Sequence, residues 1–268
     1  MKISFSTLSC PQWSWNEIVA AAKDLGFDGI EVRGIENTIH VPSAKPFLPE
    51  NLEKTKEKLQ KLGLEISCFT SSCNLSDKCN ISTVIKEGKE YIDLASKLGV
   101  PYVRMLGDPN PHPEENIDFS FTVENLSIMA EYAAERNVAV LIETNGTYAN
   151  SDTILRLINI VNSPAVGILW DIHHTFRFFS EPVSQTYEKL GEYIKFVHIK
   201  DSVKLNGQVK YKMMGHGNVP VKEALQVLNN SGYNGYISLE WVKRWNMELE
   251  DPGIVLPHFI NFVRNILS

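Results

Sequence analysis

One arrangement recurs along this chain: an amphipathic segment stops at a glycine, and a β-rich segment begins within a few residues. Glycine adopts the left-handed backbone conformation that ends a helix at little steric cost. A short turn from a helix into a strand is the joint of a repeated αβ unit. The clearest copies are Leu25–Arg33, Leu62–Ile66, Leu98–Val103 and Ser231–Ile237. The repetition therefore predicts strands that alternate with helices and pair in parallel.

Counting these units gives eight strands and eight helices. We expect strands to end near Leu8, Arg33, Thr70, Leu106, Glu143, Asp171, Lys200 and Trp241, with helices at roughly 15–25, 50–62, 82–98, 120–136, 151–161, 183–191, 220–230 and 250–267. Eight βα units in 268 residues predict an α/β protein built as a closed (β/α)8 TIM barrel. No linker-like change in composition divides residues 1–268, so we expect a single domain. A doubly wound open sheet is the alternative, which is weakened because no glycine-rich dinucleotide turn follows the first strand.

Composition and charge argue against several classes of protein. The formal net charge is −6 and no run of lysine or arginine stands out, which argues against a protein that coats nucleic acid. No apolar run approaches the length of a membrane span, and the N-terminus begins as a strand without a signal-peptide pattern. The four cysteines have no zinc-ribbon spacing, so we favour reduced thiols over a metal site at Cys68, Cys73 and Cys79. We therefore expect a cytoplasmic protein with neither nucleic acid nor membrane as its partner.

Four predicted strands bring a metal-ligating residue type to their carboxyl ends: Glu143, Asp171, His198 and Glu240. In a (β/α)8 barrel these ends converge on one face, so residues far apart in sequence can share one ion. Carboxylates and an imidazole, without a thiolate, suit Mn²⁺, Mg²⁺, Co²⁺ or Zn²⁺. Separate caps and ion pairs are the alternative, with Asp171 capping a turn and Glu240 paired to Lys243. For four residues on consecutive strands we favour one divalent ion.

Three residues around the predicted mouth are candidates for substrate binding. His174 lies three residues after Asp171, and a helical turn there would point both side chains the same way. Trp13 follows the first strand, where it could wall a pocket, cover the barrel mouth or form a dimer contact. Arg104 lies on the fourth strand, where a buried ion pair is as good an interpretation as substrate binding.

Two features near the seventh strand are candidates for binding a phosphate. Lys200 places a positive charge two residues after His198. The turn Gly215–Asn218, which contains His216, precedes the seventh helix, and a helix N-terminus favours an anion. A plain turn in which Asn218 caps the helix is an equal alternative.

The chain resembles the xylose-isomerase-like TIM-barrel superfamily, which includes sugar isomerases, ketose 3-epimerases, inosose isomerases and dehydratases, and endonuclease IV. The segments that carry the resemblance are spread along the chain: Phe27–Arg33, Glu143, Asp171–His174, His198–Asp201, Gly215–Asn218 and Ser238–Glu240. The resemblance implies that Glu143, Asp171, His198 and Glu240 hold one divalent metal ion. It also implies that Glu143 and Glu240 exchange a substrate proton and that His174 contacts the substrate.

The sequence departs from this superfamily's DNA-repair members. Endonuclease IV enzymes have a histidine at the end of strand 4, where this chain has Val103–Met105, and an Asp-x-His pair that is missing before Gly215. The ligands of two further zinc ions are therefore absent, and DNA repair is a minor alternative. The arginine that some ketose epimerases use after strand 7 is also not evident. Lys200, Lys204 and Lys212 are possible replacements, which leaves the substrate open.

The function implied is a metal-dependent isomerase or epimerase acting on a sugar, sugar phosphate or polyol. The metal would acidify a carbon–hydrogen bond and stabilise an enediolate, with the two glutamates as general base and general acid. Return of the proton to the opposite face gives epimerisation, return to the next carbon gives isomerisation, and loss of a hydroxyl gives dehydration. A keto-inositol dehydratase is thus one alternative, and a non-catalytic sugar-binding barrel is another. A homo-oligomer is compatible with the sequence, which does not fix the oligomeric state.

Overall fold

A computed structural model describes residues 1–113 and 117–267. Eight parallel strands close into a barrel, as predicted. In chain order the barrel strands are β1 (Lys2–Ser6), β2 (Gly29–Val32), β3 (Glu65–Asn74), β4 (Tyr102–Leu106), β5 (Ala139–Glu143), β6 (Val166–Asp171), β7 (Ile194–Ile199) and β10 (Tyr236–Leu239). β1 pairs with both β2 and β10, and this pairing closes the ring.

Helices alternate with the strands and pack outside the barrel. They are α1 (Trp15–Leu25), α2 (Leu52–Leu62), α3 (Ile81–Leu98), α4 (Phe119–Ala134), α5 (Ser151–Val161), α6 (Ile172–Phe179), α7 (Val183–Leu190), α8 (Val221–Asn230) and α9 (Pro252–Leu267). α1, α2 and α3 end at Gly26, Gly63 and Gly99, each left-handed with φ of 75°, 63° and 69°. The helix–glycine–strand pattern of the sequence is therefore confirmed at these three joints.

An apolar layer inside the barrel forms the floor beneath the carboxyl ends of the strands. Cys68, Leu141, Leu169, Phe196 and Tyr236 make this buried cluster, separate from the larger core between barrel and helices. Side chains two residues apart on a strand point to the same face. Positions 143, 171 and 198 each lie two residues beyond a floor residue, so their side chains point into the barrel directly above an apolar layer.

A helix and a two-stranded hairpin were missing from the sequence prediction. Helix α6 begins directly after Asp171, whose side chain accepts a hydrogen bond from the backbone N–H of His174 and caps the helix. After β7, an antiparallel hairpin of β8 (Asp201–Leu205) and β9 (Gln208–Lys212) turns at Asn206 and Gly207, both with positive φ. An Asn-Gly pair between β-rich segments is a strong hairpin signal, so this hairpin was open to prediction from the sequence.

The predicted element ends differ from the observed ones by a few residues at most of the joints. The first strand stops at Ser6, because residues Thr7–Ser9 form a short 3-10 helix, and the third continues to Asn74. All four cysteines are free, with Cys10, Cys68 and Cys73 buried and Cys79 exposed. Within the described ranges, none of the helices combines the length and apolar character needed to cross a membrane.

Candidate metal and substrate site

The four residues singled out at strand ends come together at the carboxyl end of the barrel. One ligand atom from each of Glu143, Asp171, His198 and Glu240 lies within 4.8 Å of the others, and all four residues are buried. Strand register produces this grouping, because Asp171 pairs with His198 across β6 and β7, and Glu240 directly follows β10, whose Ser238 pairs with His198. We call these four residues the carboxylate–imidazole cluster.

The imidazole of His198 has one nitrogen in a hydrogen bond and the other without one. Its Nε2 lies 3.0 Å from Oε1 of Glu31. Its Nδ1 is buried, has no hydrogen-bond partner among the described residues, and lies 3.9, 3.9 and 3.6 Å from carboxylate oxygens of Glu143, Asp171 and Glu240. Because a carboxylate can only accept, Glu31 fixes the hydrogen on Nε2 and leaves Nδ1 to face the cluster. Once its proton is lost, Nδ1 would present a lone pair to an ion shared with these three carboxylates, which is the arrangement of a metal ligand.

Glu31 is a buried carboxylate that the sequence did not single out for this role. Besides His198, it accepts hydrogen bonds from Thr70 Oγ1 at 2.7 Å and Ser238 Oγ at 2.6 Å. Burial alone would raise the pKa of Glu31, but His198 and these hydroxyls outweigh burial and lower it. Likewise, burial would lower the pKa of His198, but Glu31 and Glu240 outweigh it and raise the pKa well above its ordinary value. The site therefore favours positive charge at His198, as a proton or as a metal ion.

Two buried cations pair with carboxylates of the cluster. Arg104 Nε lies 2.9 Å from Oε2 of Glu143. Lys200 Nζ contacts both Asp171 and Glu240. Burial alone would lower the pKa of Lys200, but the two carboxylates outweigh burial and raise it well above its ordinary value. Arg104 forms the buried ion pair that was one of its two interpretations, and Lys200 lies inside the cluster.

His174 reaches the cluster from the first turn of α6. Its Nδ1 lies 3.0 Å from the carbonyl oxygen of Thr144 and 3.4 Å from Oδ2 of Asp171. A carbonyl only accepts, so Nδ1 holds the hydrogen and Nε2 is the nitrogen that can meet a ligand. Burial lowers the pKa of His174 and so favours the neutral ring. The adjacent His173 is also buried, with Nε2 at 3.0 Å from Ser202 Oγ, and it forms a second possible ligand group with Asp171 and His174.

The turn before α8 has its backbone N–H groups already in use. Asp201, at the start of the β8–β9 hairpin, accepts hydrogen bonds from the N–H groups of Gly215, Gly217 and Val219 at 3.0, 2.8 and 3.1 Å. His216 is exposed and its ring lies 5.7 Å from that of His258 on α9. The anion expected at this turn is thus supplied by the protein's own Asp201, and His216 lies away from the cluster. The Asn218 cap was also wrong, because α8 starts after Pro220.

Two aromatic residues border the mouth. Trp13 lines a cavity of about 390 Å³ between the loops after β1 and β10, together with Cys10 and Lys243. Tyr211 on β9 was not selected from the sequence, yet its ring stacks at a tilt 5.6 Å from His173 and its hydroxyl interacts electrostatically with Lys200 and Glu240. The hairpin therefore brings Tyr211 to the cluster, whereas Trp13 lies at the rim.

Comparisons with known proteins agree with this architecture. The sequence model of the xylose isomerase-like TIM barrel family matches residues 19–256. A fructoselysine 3-epimerase of Shigella flexneri is 25% identical over 92% of this chain and 91% of its own length. A probable 3-DHS dehydratase of Bacillus anthracis superimposes with a TM-score of 0.82 at 21% identity, covering 99% of both chains. A xylose isomerase-like protein of Mycobacterium smegmatis, solved in complex with magnesium, gives 0.77 at 17% identity over 99% and 96% of the two chains.

Proposed function

Since the chain belongs to the xylose isomerase-like TIM barrel family, we propose that it is a divalent-metal-dependent epimerase or isomerase of a sugar or polyol. The observation that carries the proposal is the carboxylate–imidazole cluster with His198 Nδ1 buried and without a hydrogen-bond partner. The curated relative named as a 3-epimerase agrees with a reaction of this type.

The donor set fits one divalent ion. Ligand atoms about 2.1 Å from a shared ion lie no more than about 4.2 Å apart. The Nδ1-to-oxygen distances of 3.6 to 3.9 Å are within that limit, and small shifts of the carboxylates would bring the full set, now within 4.8 Å, onto one ion. Glu143, Asp171, His198 and Glu240 would hold the ion. When bound, it would polarise a substrate carbonyl and the neighbouring hydroxyl, which acidifies the carbon–hydrogen bond beside them.

The two glutamates are proposed to move the proton. In barrel order, β7 and β6 lie between Glu240 and Glu143, so their carboxylates can approach a bound sugar from opposite sides. Burial alone would raise the pKa of Glu143, but Arg104 and His198 outweigh it and lower the pKa, which keeps Glu143 ionised as a general base must be. Lys200, in contact with Glu240, holds the second carboxylate in place.

Three side chains are proposed to position the substrate. His174 Nε2 and the Tyr211 hydroxyl border the cluster, and each can form a hydrogen bond with a sugar hydroxyl. Trp13 is proposed to contact the outer end of a longer substrate, because it lines the rim rather than the cluster. Arg104 and Lys200 would act chiefly by holding Glu143, Asp171 and Glu240 in place.

Proton exchange with solvent tests the proposal directly. The protein is loaded separately with Mn²⁺, Mg²⁺, Co²⁺ or Zn²⁺ and incubated with a panel of ketoses in D₂O, and deuterium incorporation is followed by NMR. We expect metal-dependent deuteration next to the carbonyl, with an epimer or an aldose as product, and none after chelation. Loss of water from the substrate would identify a dehydratase instead. Binding without any exchange across the panel would identify a non-catalytic barrel.

A further inference from the structure

Arg33 differs from the other deeply buried cations because it has no carboxylate partner. Arg33, Arg104, Lys200 and Lys243 are each 8% exposed or less. The last three pair with carboxylates of the cluster or with Asp251. Across residues 1–113 and 117–267, Arg33 has no carboxylate within ion-pairing distance. Its Nη2 donates to Ser72 Oγ at 2.8 Å, and its Nη1 is buried without a hydrogen-bond partner.

Arg33 lies at the mouth of the barrel on the side that continues from the cluster. It follows β2 two residues after Glu31, so both side chains point toward the barrel axis, with Arg33 nearer the rim. Its guanidinium is repelled by the positive charge of the nearby Arg104, which is paired to Glu143. Arg33 therefore lies nearer the rim of the barrel than the carboxylate–imidazole cluster, which would hold the reacting carbons.

The surroundings of Arg33 open to solvent. Ser72, its hydrogen-bond partner, is exposed. The ring of Trp245 lies 5.7 Å from the guanidinium carbon and is itself 58% exposed. An aromatic face against a guanidinium does not engage its in-plane N–H donors, so the buried Nη1 keeps its hydrogen-bonding capacity for a planar or tetrahedral anion.

An unpaired charge at this depth is unfavourable unless a ligand provides the partner. Burial and the neighbouring Arg104 lower the pKa of Arg33 to about 10, which still leaves it charged at neutral pH. Buried charges in proteins are generally paired. The two other groups expected from the sequence to bind an anion already have anionic partners. Lys200 pairs with Asp171 and Glu240, and the backbone N–H groups of the Gly215–Asn218 turn donate to Asp201.

We propose that Arg33, with Trp245 over its face, binds an acidic group of the substrate, a carboxylate or a phosphate, at the end remote from the reacting carbons. The substrate class is then a ketose or keto-polyol with a terminal anion. This inference rests on the proposed function, because it takes the same molecule to lie on the carboxylate–imidazole cluster.

Three sugars that differ only at C6 test the site: D-fructose, D-fructuronate and D-fructose 6-phosphate. Their affinities for the Mn²⁺-loaded protein are measured by calorimetry for the wild type, Arg33→Gln, Arg33→Lys and the control Arg156→Gln. Arg156 is an exposed arginine on α5, so its variant removes the same charge elsewhere. We expect at least one acidic sugar to bind the wild type and Arg156→Gln about 10- to 100-fold more tightly than fructose, the worth of a charge-assisted hydrogen bond. Arg33→Gln should lose this preference and Arg33→Lys should keep part of it.

The outcomes separate the inference from the proposed function. The more tightly bound acidic sugar identifies the group as carboxylate or phosphate. Equal or absent binding of the three sugars by the wild type, or a preference that survives in Arg33→Gln, overturns the anion site. Circular dichroism and the Mn²⁺ content check each variant, and Arg33→Lys decides if Arg33→Gln does not fold. Deuterium exchange on the same samples tests the function: an acidic preference without exchange rejects only the function, and exchange without a preference rejects only the anion site.

Discussion

His198 lies between two groups of buried polar side chains, one fully hydrogen-bonded and the other not. On its Nε2 side lie Glu31 and the hydroxyls of Thr70 and Ser238, whose hydrogen bonds are complete. On its Nδ1 side lie three carboxylate oxygens at 3.6 to 3.9 Å and no hydrogen-bond partner. Removing the charge of Glu31 should therefore weaken metal binding at Nδ1, on the opposite side of the ring. The reason is that the Glu31 carboxylate fixes both the tautomer and the orientation of the ring.

Glu31→Gln should weaken metal binding by about 10- to 100-fold, the usual effect of losing a residue that orients a ligand. The amide cannot accept from every donor that Glu31 serves, so the His198 ring loses its fixed tautomer. Affinity is measured by competition with a fluorescent chelator. Glu65→Gln is the control, because Glu65 lies at the opposite end of the barrel with Lys2 and Tyr236. Unchanged affinity in Glu31→Gln would show that Glu31 only fills the barrel interior.

Glu143→Gln and Glu240→Gln should each lose turnover by roughly 10²–10⁴-fold, the usual worth of a positioned acid or base. Glutamine keeps one oxygen donor, so both variants should retain part of their metal affinity. Rates are taken from the D₂O exchange measurement with any ketose that the wild type turns over. One variant with nearly full activity would point to a single-base enzyme. Wild-type exchange in both would exclude both glutamates as the base.

His174→Ala should reduce turnover and leave the ion bound. The Nδ1 of His174 is committed to the Thr144 carbonyl, and four other ligands are available without it. Metal content and deuterium exchange are measured on the same preparation. His216→Ala serves as control, because His216 is exposed beside His258, and should change neither quantity. Loss of the ion in His174→Ala would make His174 a ligand.

At the scale of elements, the β8–β9 hairpin is joined to the start of α8 by one carboxylate. Asp201 accepts from Ser202, Gly215, Gly217 and Val219, which binds both ends of the segment 201–219 together. The same hairpin presents Tyr211 to the cluster. A defect in this connection should therefore loosen a wall of the site while the barrel strands remain paired.

Gly217→Ala should lower the free energy of unfolding by about 1–3 kcal/mol, the usual range for overpacking. A methyl group at this position would collide with the Asp201 carboxylate, whereas at Gly253 on α9 it would meet no atom within 4 Å. Gly253→Ala should be neutral or stabilising, because alanine has the higher helix propensity. Urea denaturation compares the two variants. Equal stabilities would mean that the turn can shift without loss.

At the scale of the whole molecule, the cluster joins strands that are far apart in the sequence. Glu143 ends β5, whereas Glu240 follows β10, the strand that closes the barrel against β1. An ion held by these residues binds only the folded barrel, because the unfolded chain does not bring them together. Ligand binding to the native state alone adds RT ln(1 + [L]/Kd) to its stability.

Removing divalent ions should therefore lower the melting temperature, and re-adding them should restore it. At a metal concentration about 100 times Kd the stabilisation is about 2.7 kcal/mol. Differential scanning calorimetry with and without chelator measures the change. The double variant Glu143→Gln/Glu240→Gln should show a much smaller response to the metal. A melting temperature independent of metal in the wild type would contradict a site at this cluster.

The sequence alone was enough to place the repeated units and the four residue types at strand ends. Helix ends at Gly26, Gly63 and Gly99 are local events, decided by backbone conformations that neighbouring residues determine. The convergence of strand ends follows from barrel closure, and so Glu143 and Glu240 could be grouped before any contact was known. The Asn206-Gly207 hairpin is equally local, because the two turn residues with positive φ specify it by themselves.

Only the tertiary structure decided which atoms meet. Glu31 reaches His198 across 167 positions, and no sequence spacing specifies that contact. The Gly215–Asn218 turn is occupied by Asp201, and Arg33 has no carboxylate partner among the described residues. Both features likewise depend on where side chains from separate elements point. Local sequence patterns determine on which face of a helix or strand a residue lies, and near which end of that element, because these patterns follow helix and strand periodicity. Pairing among buried charges depends on strand register and barrel closure, which no local segment determines.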